Sequence, residues 1–472
     1  MLNSVNARGM PAPLLTPSGS FGNRIAPPDS ARAVEDTSPL RVMAFKMGLI
    51  LVFIRFSIIH QLLTYVIHVN LYLLYLFGIP TLLGVVLAGG IPRTLRGRPA
   101  VFWTIFAVLL IVGVPSSSWR AGSAGALNAY LRTDFPMLFV IAGLTITWRE
   151  CLSMMRAIAW STVIMMSAAN LFRDTSGLFG ERLAINFGTI SNSNDYACHL
   201  VLVLPFVIWV GLAAKSKALR LGAWGGVGYG VLLVLKTASR GALLALIAGA
   251  LFWLLRGTMR QRIGLLAAGP IAAAGLVAFV PQSSLIRIVS FSAADAGASQ
   301  EALESSTMRR YLLEQSILYT LQHPIFGVGM GQFSSFEGQH NQIVGTHGYW
   351  YEAHNTYTQV SSECGMPALA FYIAAIVSTF LAVNRVYRQA RKRPECEDIR
   401  IATFCIMLAM TTYCTAITFV NFAYFFYPLA MTSLAVAVSR AAQNELARRS
   451  SASVEPQPGW LPRRKPAAPA AT

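Results

Sequence analysis

The sequence predicts an all-α, polytopic membrane helix bundle of about twelve transmembrane helices with one large extracytoplasmic loop. Three observations carry this. Of 472 residues, 54% are hydrophobic and only 12% charged, with a mean hydropathy of +0.52; soluble domains carry roughly 25% charged residues. Twelve apolar runs recur along the chain, at or near the ~20 residues a helix needs to cross a bilayer. Lys and Arg fall in alternate loops between those runs, as positive-inside bias requires.

The runs lie at residues 47–64, 67–89, 100–114, 130–147, 152–172, 196–214, 219–236, 241–255, 263–280, 366–384, 401–419 and 421–439. With the N-terminus inside, Arg93, Arg96 and Arg98 fall inside, followed by Arg149 and then Lys215, Lys217 and Arg220. Arg256, Arg260 and Arg262 come next, then Arg385, Arg388, Arg391, Lys392 and Arg393, and finally Arg440, Arg448 and Arg449. Every cytoplasmic loop is basic in this assignment, and slipping one span would destroy the pattern. The expected organisation is a disordered cytoplasmic tail over 1–42, a first bundle of about nine helices over 43–280, an outer loop over 281–365, three last helices over 366–442, and a second tail over 443–472. Both tails are rich in Pro, Ser and Ala, and the first lacks the apolar core of a secretory signal.

The net charge of +18 is explained by these loops, and no nucleic-acid partner is expected. Membrane lipids are the partner that the basic loops imply. The six Cys are scattered, without a C-x-x-C pair, so neither a zinc site nor a disulfide framework is expected. Cys198, Cys364 and Cys414 are expected near the outer side as packing residues.

Four outer segments hold the candidate chemistry. The first, GERLAINFGTISNSNDYACHL, offers Arg182 with the amides Asn192 and Asn194, groups suited to sugar hydroxyls or to ordinary loop turns. The second is the hairpin LKTASRGALLAL, which places Arg240 at the mouth of a span, where it either faces a cavity or snorkels to the interface. The third, EALESSTMRRYLLEQSILYTLQ, predicts an amphipathic helix with Leu313, Ile317 and Leu321 on its apolar face, ended by His323-Pro324. It carries Arg309 and Arg310, residues of a kind that commonly rests against headgroups on such a helix. The run PIFGVGMGQF follows; without a preceding strand its glycines predict a tight turn passing close to the helices, not a phosphate loop.

The fourth segment is YWYEAHNTYTQVSSECGMPALAFYI. His354 lies where the chain re-enters the membrane. A neutral imidazole accepts a proton from a sugar hydroxyl, or else makes a structural hydrogen bond. Asn355 is placed to orient a substrate, and Glu352 either orients the ring or is solvated. His340, His347 and His354 recur at sevens, but Gly338, Gly345 and Gly348 argue against a helix there, so no metal site and no cofactor are expected.

Together these residues resemble the O-antigen ligase and O-antigen polymerase superfamily. The resemblance spans residues 180–380 and rests on SRGALLAL around Arg240, Arg309 followed by HPIFGVGMGQF, EAHNTYTQVSSECG around His354, and the loop GTISNSN. It implies a GT-C-like fold in the bacterial inner membrane with the site facing the periplasm. The implied activity is metal-independent, inverting transfer of a glycan from an undecaprenyl-diphosphate donor to a saccharide acceptor, either lipid A–core or a growing glycan chain. His354 matches the family's base, and Arg240 and Arg309 match arginines that hold the diphosphate, with Arg310 one position away as the alternative. The chain departs from the family at Leu313, where an aromatic residue is common, and at Tyr357, where an aliphatic one is. Ligase, polymerase and protein oligosaccharyltransferase share this layout. A membrane transporter and a non-catalytic scaffold of polysaccharide assembly are the alternatives from other classes.

Overall fold

In lipid every backbone N–H and C=O must be satisfied within the protein, which leaves helices as the economical solution for so apolar a chain. The structure, a computed structural model, describes residues 38–174, 182–279, 300–343 and 350–452. Its helices are α1 (Pro39–Ser57), α2 (Ile59–Ile67), α3 (Leu73–Leu87), α4 (Gly90–Leu95), α5 (Arg98–Gly113), α6 (Arg120–Ala129), α7 (Met137–Leu144) and α8 (Trp148–Leu171). They continue as α9 (Ser193–Ala213), α10 (Lys217–Lys236), α11 (Arg240–Arg256), α12 (Met259–Phe279), α13 (Gln300–Gln322), α14 (Phe333–Ile343), α15 (Thr356–Arg391), α16 (Glu397–Ala416) and α17 (Phe426–Ala452). No strand is present among the described residues beyond a single bridge between Arg173 and Ile185. The tails expected at 1–42 and 443–472 lie mostly outside the described residues, although α17 runs past residue 443 to Ala452.

This is the architecture of a helical membrane protein. Among the described residues, six helical stretches are long and apolar enough to cross a bilayer unaided, those at Arg98–Ser116, Trp148–Leu171, Ser193–Ala213, Lys217–Lys236, Thr356–Arg391 and Pro394–Phe419. The pair α1 and α2, bent by 67°, makes a seventh if counted as one span. Of the other predicted runs, those at 67–89, 130–147 and 241–255 meet helices that are shorter or interrupted, and those at 263–280 and 421–439 meet α12 and α17. The run at 130–147 is divided by a π-turn over Tyr130–Asp134 and by Pro136 into the eight-residue α7. The interruption accommodates a charge: Asp134 accepts from Arg55 at 2.6 Å.

Burial separates the centre of the bundle from its lipid face. In α9 and α16, 78% of the most apolar window is buried, against 22% in α10. Thr412 on α16 donates to the Val201 carbonyl of α9 at 2.7 Å. Trp103 on α5 donates to Thr432 on α17 at 2.8 Å, and Thr432 meets Thr379 of α15 at 2.9 Å. Small hydroxyl residues let helices approach closely and supply cross-helix hydrogen bonds where no water competes.

At the basic end, α7 stops inside the protein, leaving its last carbonyls without intrahelical partners. Three arginines take them. Arg41 of α1 donates to Leu144 O at 3.0 Å and pairs with Glu150 at 2.7 Å. Arg93 of α4 donates to Gly143 O. Arg440 of α17 donates to Ala142 O at 2.9 Å and Thr145 O at 2.5 Å. Glu150 also closes a capping box with Thr147 that starts α8. The loop arginines thus serve as caps on the negative end of a helix.

At the opposite end, α15 is broken. Gly365 has φ 85° and ψ 172°, so the carbonyls of Ser362 and Glu363 leave the helical ladder. The glycine run supplies their partners: Val328 N–H donates to Ser362 O at 2.8 Å and Gly329 N–H to Glu363 O at 2.9 Å. A Cβ at Gly327 would collide with the Glu363 carbonyl carbon, and one at Gly365 with Ile325 O. The buried Glu363 carboxylate accepts from Gly331 N–H at 3.0 Å, Phe333 N–H at 3.2 Å and the Tyr424 hydroxyl at 2.6 Å. The close-passing turn expected for this segment is what forms.

Replacing Arg440 by Met should destabilise the protein by about 1.5–3 kcal/mol, since two carbonyls lose a charged donor. Thermal melting in detergent checks this, with Arg440→Lys recovering only part of the loss.

Candidate active site

The site is built around the start of α15. Asn355 caps that helix, its Oδ1 accepting from Tyr357 N–H at 3.0 Å and Thr358 N–H at 3.2 Å. Its amide oxygen is therefore committed to the fold. Thr356 donates to Val420 O at 2.7 Å and accepts from Phe422 N–H at 2.9 Å, which fastens the turn to the α16–α17 link. His354 precedes the cap with φ 51°, a left-handed conformation uncommon outside glycine and found where surroundings enforce it. Burial and the nearby Arg309 guanidinium lower its imidazole to about 4. The ring is accordingly neutral at physiological pH and able to accept a proton. Glu352 is exposed and makes no hydrogen bond to His354 among the described residues.

Arg309 and Arg310 part company. Arg309 is half-buried and lies within electrostatic reach of both His354 and Asp195. Arg310 is 83% exposed and pairs with Glu314 at 3.0 Å along the outside of α13. The helix phase is fixed by a small separate core of Leu312, Tyr319, Val328, Phe333 and Ala353. The hydroxyls of Tyr311 and Tyr319 both donate to the buried Glu337 of α14, and Thr320 meets Ser361 of α15 at 2.7 Å.

The structure corrects two expectations here. The buried face of α13 is Leu312, Ser316, Tyr319 and Thr320, whereas Ile317 and Leu321 of the predicted apolar face are 47% and 73% exposed. A membrane protein inverts the usual inference, because an apolar stripe can face lipid while polar groups pair inside. The segment around Gly338 was expected not to be helical, yet α14 runs through it. A Cβ there would come within 2.6 Å of the Trp350 ring, so this glycine makes room for an indole instead of ending a helix. His340 rests beside Phe336 on α14, ring centroids 6.2 Å apart; His347 lies outside the described residues.

Arg182 donates to Thr237 O at 2.9 Å and to Asn194 Oδ1 at 3.0 Å, while Leu183 N–H donates to Lys236 O at 2.9 Å. Arg182, Asn194 and the hairpin that carries Arg240 therefore form one unit, with Arg240 half-buried in the first turn of α11. Asp195 follows Asn194 directly on the first turn of α9. The Arg182–Asn194 unit and the Arg309–His354 pair consequently meet at the start of that helix. Asn192 caps it through Asn194 N–H at 2.8 Å.

Sequence reasoning passed over Asp195, Glu363 and the Arg55–Asp134 pair. The signal was present in each case as an ionisable residue inside or beside an apolar run, where such groups are costly and seldom idle. Asn355→Ala should cost about 0.5–2 kcal/mol of stability through the lost cap. Arg310→Ala should change it by less than ~1 kcal/mol, since exposed pairs contribute little; melting curves of the two variants separate these effects.

No curated protein matches the chain. Residues 225–373 match the model of the family described as O-antigen ligase, a stretch that contains Arg240, Arg309, Arg310, Glu352, His354 and Asn355 but neither Arg182 nor Asn194. The matched segment, just under a third of the chain, is similar to that family and holds most of the motifs that resemble the O-antigen ligase and polymerase superfamily.

Proposed function

We propose that this protein is a glycosyltransferase of the O-antigen ligase or polymerase type. It moves a glycan from an undecaprenyl-diphosphate carrier to a saccharide acceptor at the periplasmic face of the inner membrane. The observation that carries this reading is the fixed positive charge of Arg309 beside the neutral, strained His354. His354 takes the proton of the acceptor hydroxyl as its oxygen attacks the anomeric carbon. The glycosidic bond breaks, and the undecaprenyl diphosphate departs with the electron pair, which inverts the anomeric centre. Arg309 and Arg240 meet the charge that grows on the diphosphate; guanidinium forks bind phosphate oxygens bidentately, and a preformed cation stabilises the transition state more than the ground state. Arg182 and Asn194 hold the neighbouring loop, and Asn355 holds the His354 turn. The reaction needs no metal in this scheme.

A transporter would use the break in α15 as an ion-coordinating element. The carbonyls released there are occupied by Val328 and Gly329, which favours the enzyme.

His354→Ala should lower transfer by ~10²–10⁴-fold without reducing membrane abundance, and EDTA should leave the wild-type rate unchanged. Full activity of His354→Ala would leave only the scaffold or transporter readings. Because the ring works in its neutral form, transfer should stay level through neutral pH and fall as pH drops through about 4. Arg309→Gln removes the charge that opposes protonation, so its acid limb should move to higher pH. The twelve-span topology proposed with this function has its own test. Alkaline phosphatase fused at residue 340 should be active and at residue 395 silent; the reverse pattern overturns the periplasmic assignment.

A further inference from the structure

A cavity of about 350 Å³ lies between the break in the first helix pair and the α16–α17 link. Two helix irregularities form its walls. On one side α1 and α2 meet at 67°, and Ile58 at the bend has φ 43°. A β-branched residue in that conformation is strained, and such strain clusters at functional positions. On the other side Tyr130–Asp134 form a π-turn, a feature also concentrated at functional sites.

The wall is largely apolar, with polar groups set into it, and close to neutral in charge. Arg55 pairs with Asp134 at 2.6 Å and lies over the Phe426 ring at 4.2 Å, so its charge is already matched. Four buried atoms on lining residues have no hydrogen-bond partner among the described residues: Arg55 Nε, His60 Nδ1, the Tyr130 hydroxyl and Asn421 Oδ1. Tyr130 is only 2% exposed. Buried polar atoms are nearly always paired, and each unpaired one is costly. Tyr424 and Phe425 add aromatic surface. Donors, acceptors and aromatic faces around a neutral interior suit sugar hydroxyls and ring C–H groups better than an anion.

We propose that this cavity is a saccharide subsite, holding a neutral sugar ring of one of the two glycan substrates. This rests on the glycan-transfer reading above. Its position agrees: Asn421 sits between Val420 and Phe422, both of which bond Thr356, two residues after His354. The volume is at the small end of ligand pockets, matching one or two sugar rings. The Tyr130 hydroxyl and Asn421 carbonyl exchange hydrogen bonds with ring hydroxyls, and Arg55 Nε donates to a further oxygen.

The test uses the full chain in detergent. Oligosaccharide is released by mild acid from the lipid-linked donor in one arm and from the acceptor in the other, and saturation-transfer NMR reports binding. Tyr130→Phe and Asn421→Leu should each weaken binding of one of these oligosaccharides about three- to tenfold, and the arm affected identifies the source. If Asn421→Leu lowers the melting temperature, Tyr130→Phe alone carries the comparison. Unchanged binding of both oligosaccharides in Tyr130→Phe overturns the subsite. Displacement of the sugar by inorganic pyrophosphate also overturns it, because the cavity would then be an anion site. Wild-type protein that binds sugar here but transfers none sinks the transfer reading and leaves the subsite standing.

Discussion

The break in α15 at Gly365 is the constraint from which the site end of this molecule follows. A helix interrupted in an apolar setting must hand its freed carbonyls to other donors, because no water is there to take them. The glycine run does so with the backbone N–H groups of Val328 and Gly329. The side chain of Glu363, two residues before the break, takes two more N–H groups of the same run. The run leads directly out of α13, so this backbone pairing positions the helix that carries Arg309. The broken helix, α15, in turn starts directly after His354 and its cap. One discontinuity therefore sets the spacing between the arginine and the histidine.

The opposite end of the bundle solves a related problem with side chains. There α7 ends inside the protein, and Arg41, Arg93 and Arg440 reach its carbonyls from three different helices. These arginines count toward positive-inside bias in the sequence, yet in the fold they are buried caps. Their guanidinium groups span several acceptors at once, which a single ammonium group does not. Charge placement in this chain serves topology and helix termination together.

What could be read in advance follows from range. Apolar runs are local, so the helical architecture and the basic loops were legible, as was the close-passing glycine turn, whose residues announce a backbone that needs space. The order of motifs carried the superfamily, and the matched segment bears it out. Contacts between distant residues were not legible. Arg55 and Asp134 meet across the bundle, and nothing near either residue names its partner. Gly338 reads as a helix breaker until Trp350 is seen against it. The phase of α13 was misjudged because its apolar residues were assigned to the core, whereas its tyrosines pair there with Glu337.

Arg309 and Arg310 are neighbours in sequence but differ by about 100° around the helix axis. Only the locked phase of α13 decides which of them faces His354. Substitutions along the outer stripe of that helix leave this choice intact, whereas adding or deleting one residue between Arg310 and Tyr319 would turn the arginines relative to their anchor. Along that outer stripe natural variants should drift freely in composition while the stretch keeps its length, so that a gap in the chain is worse tolerated than an exchange on the stripe.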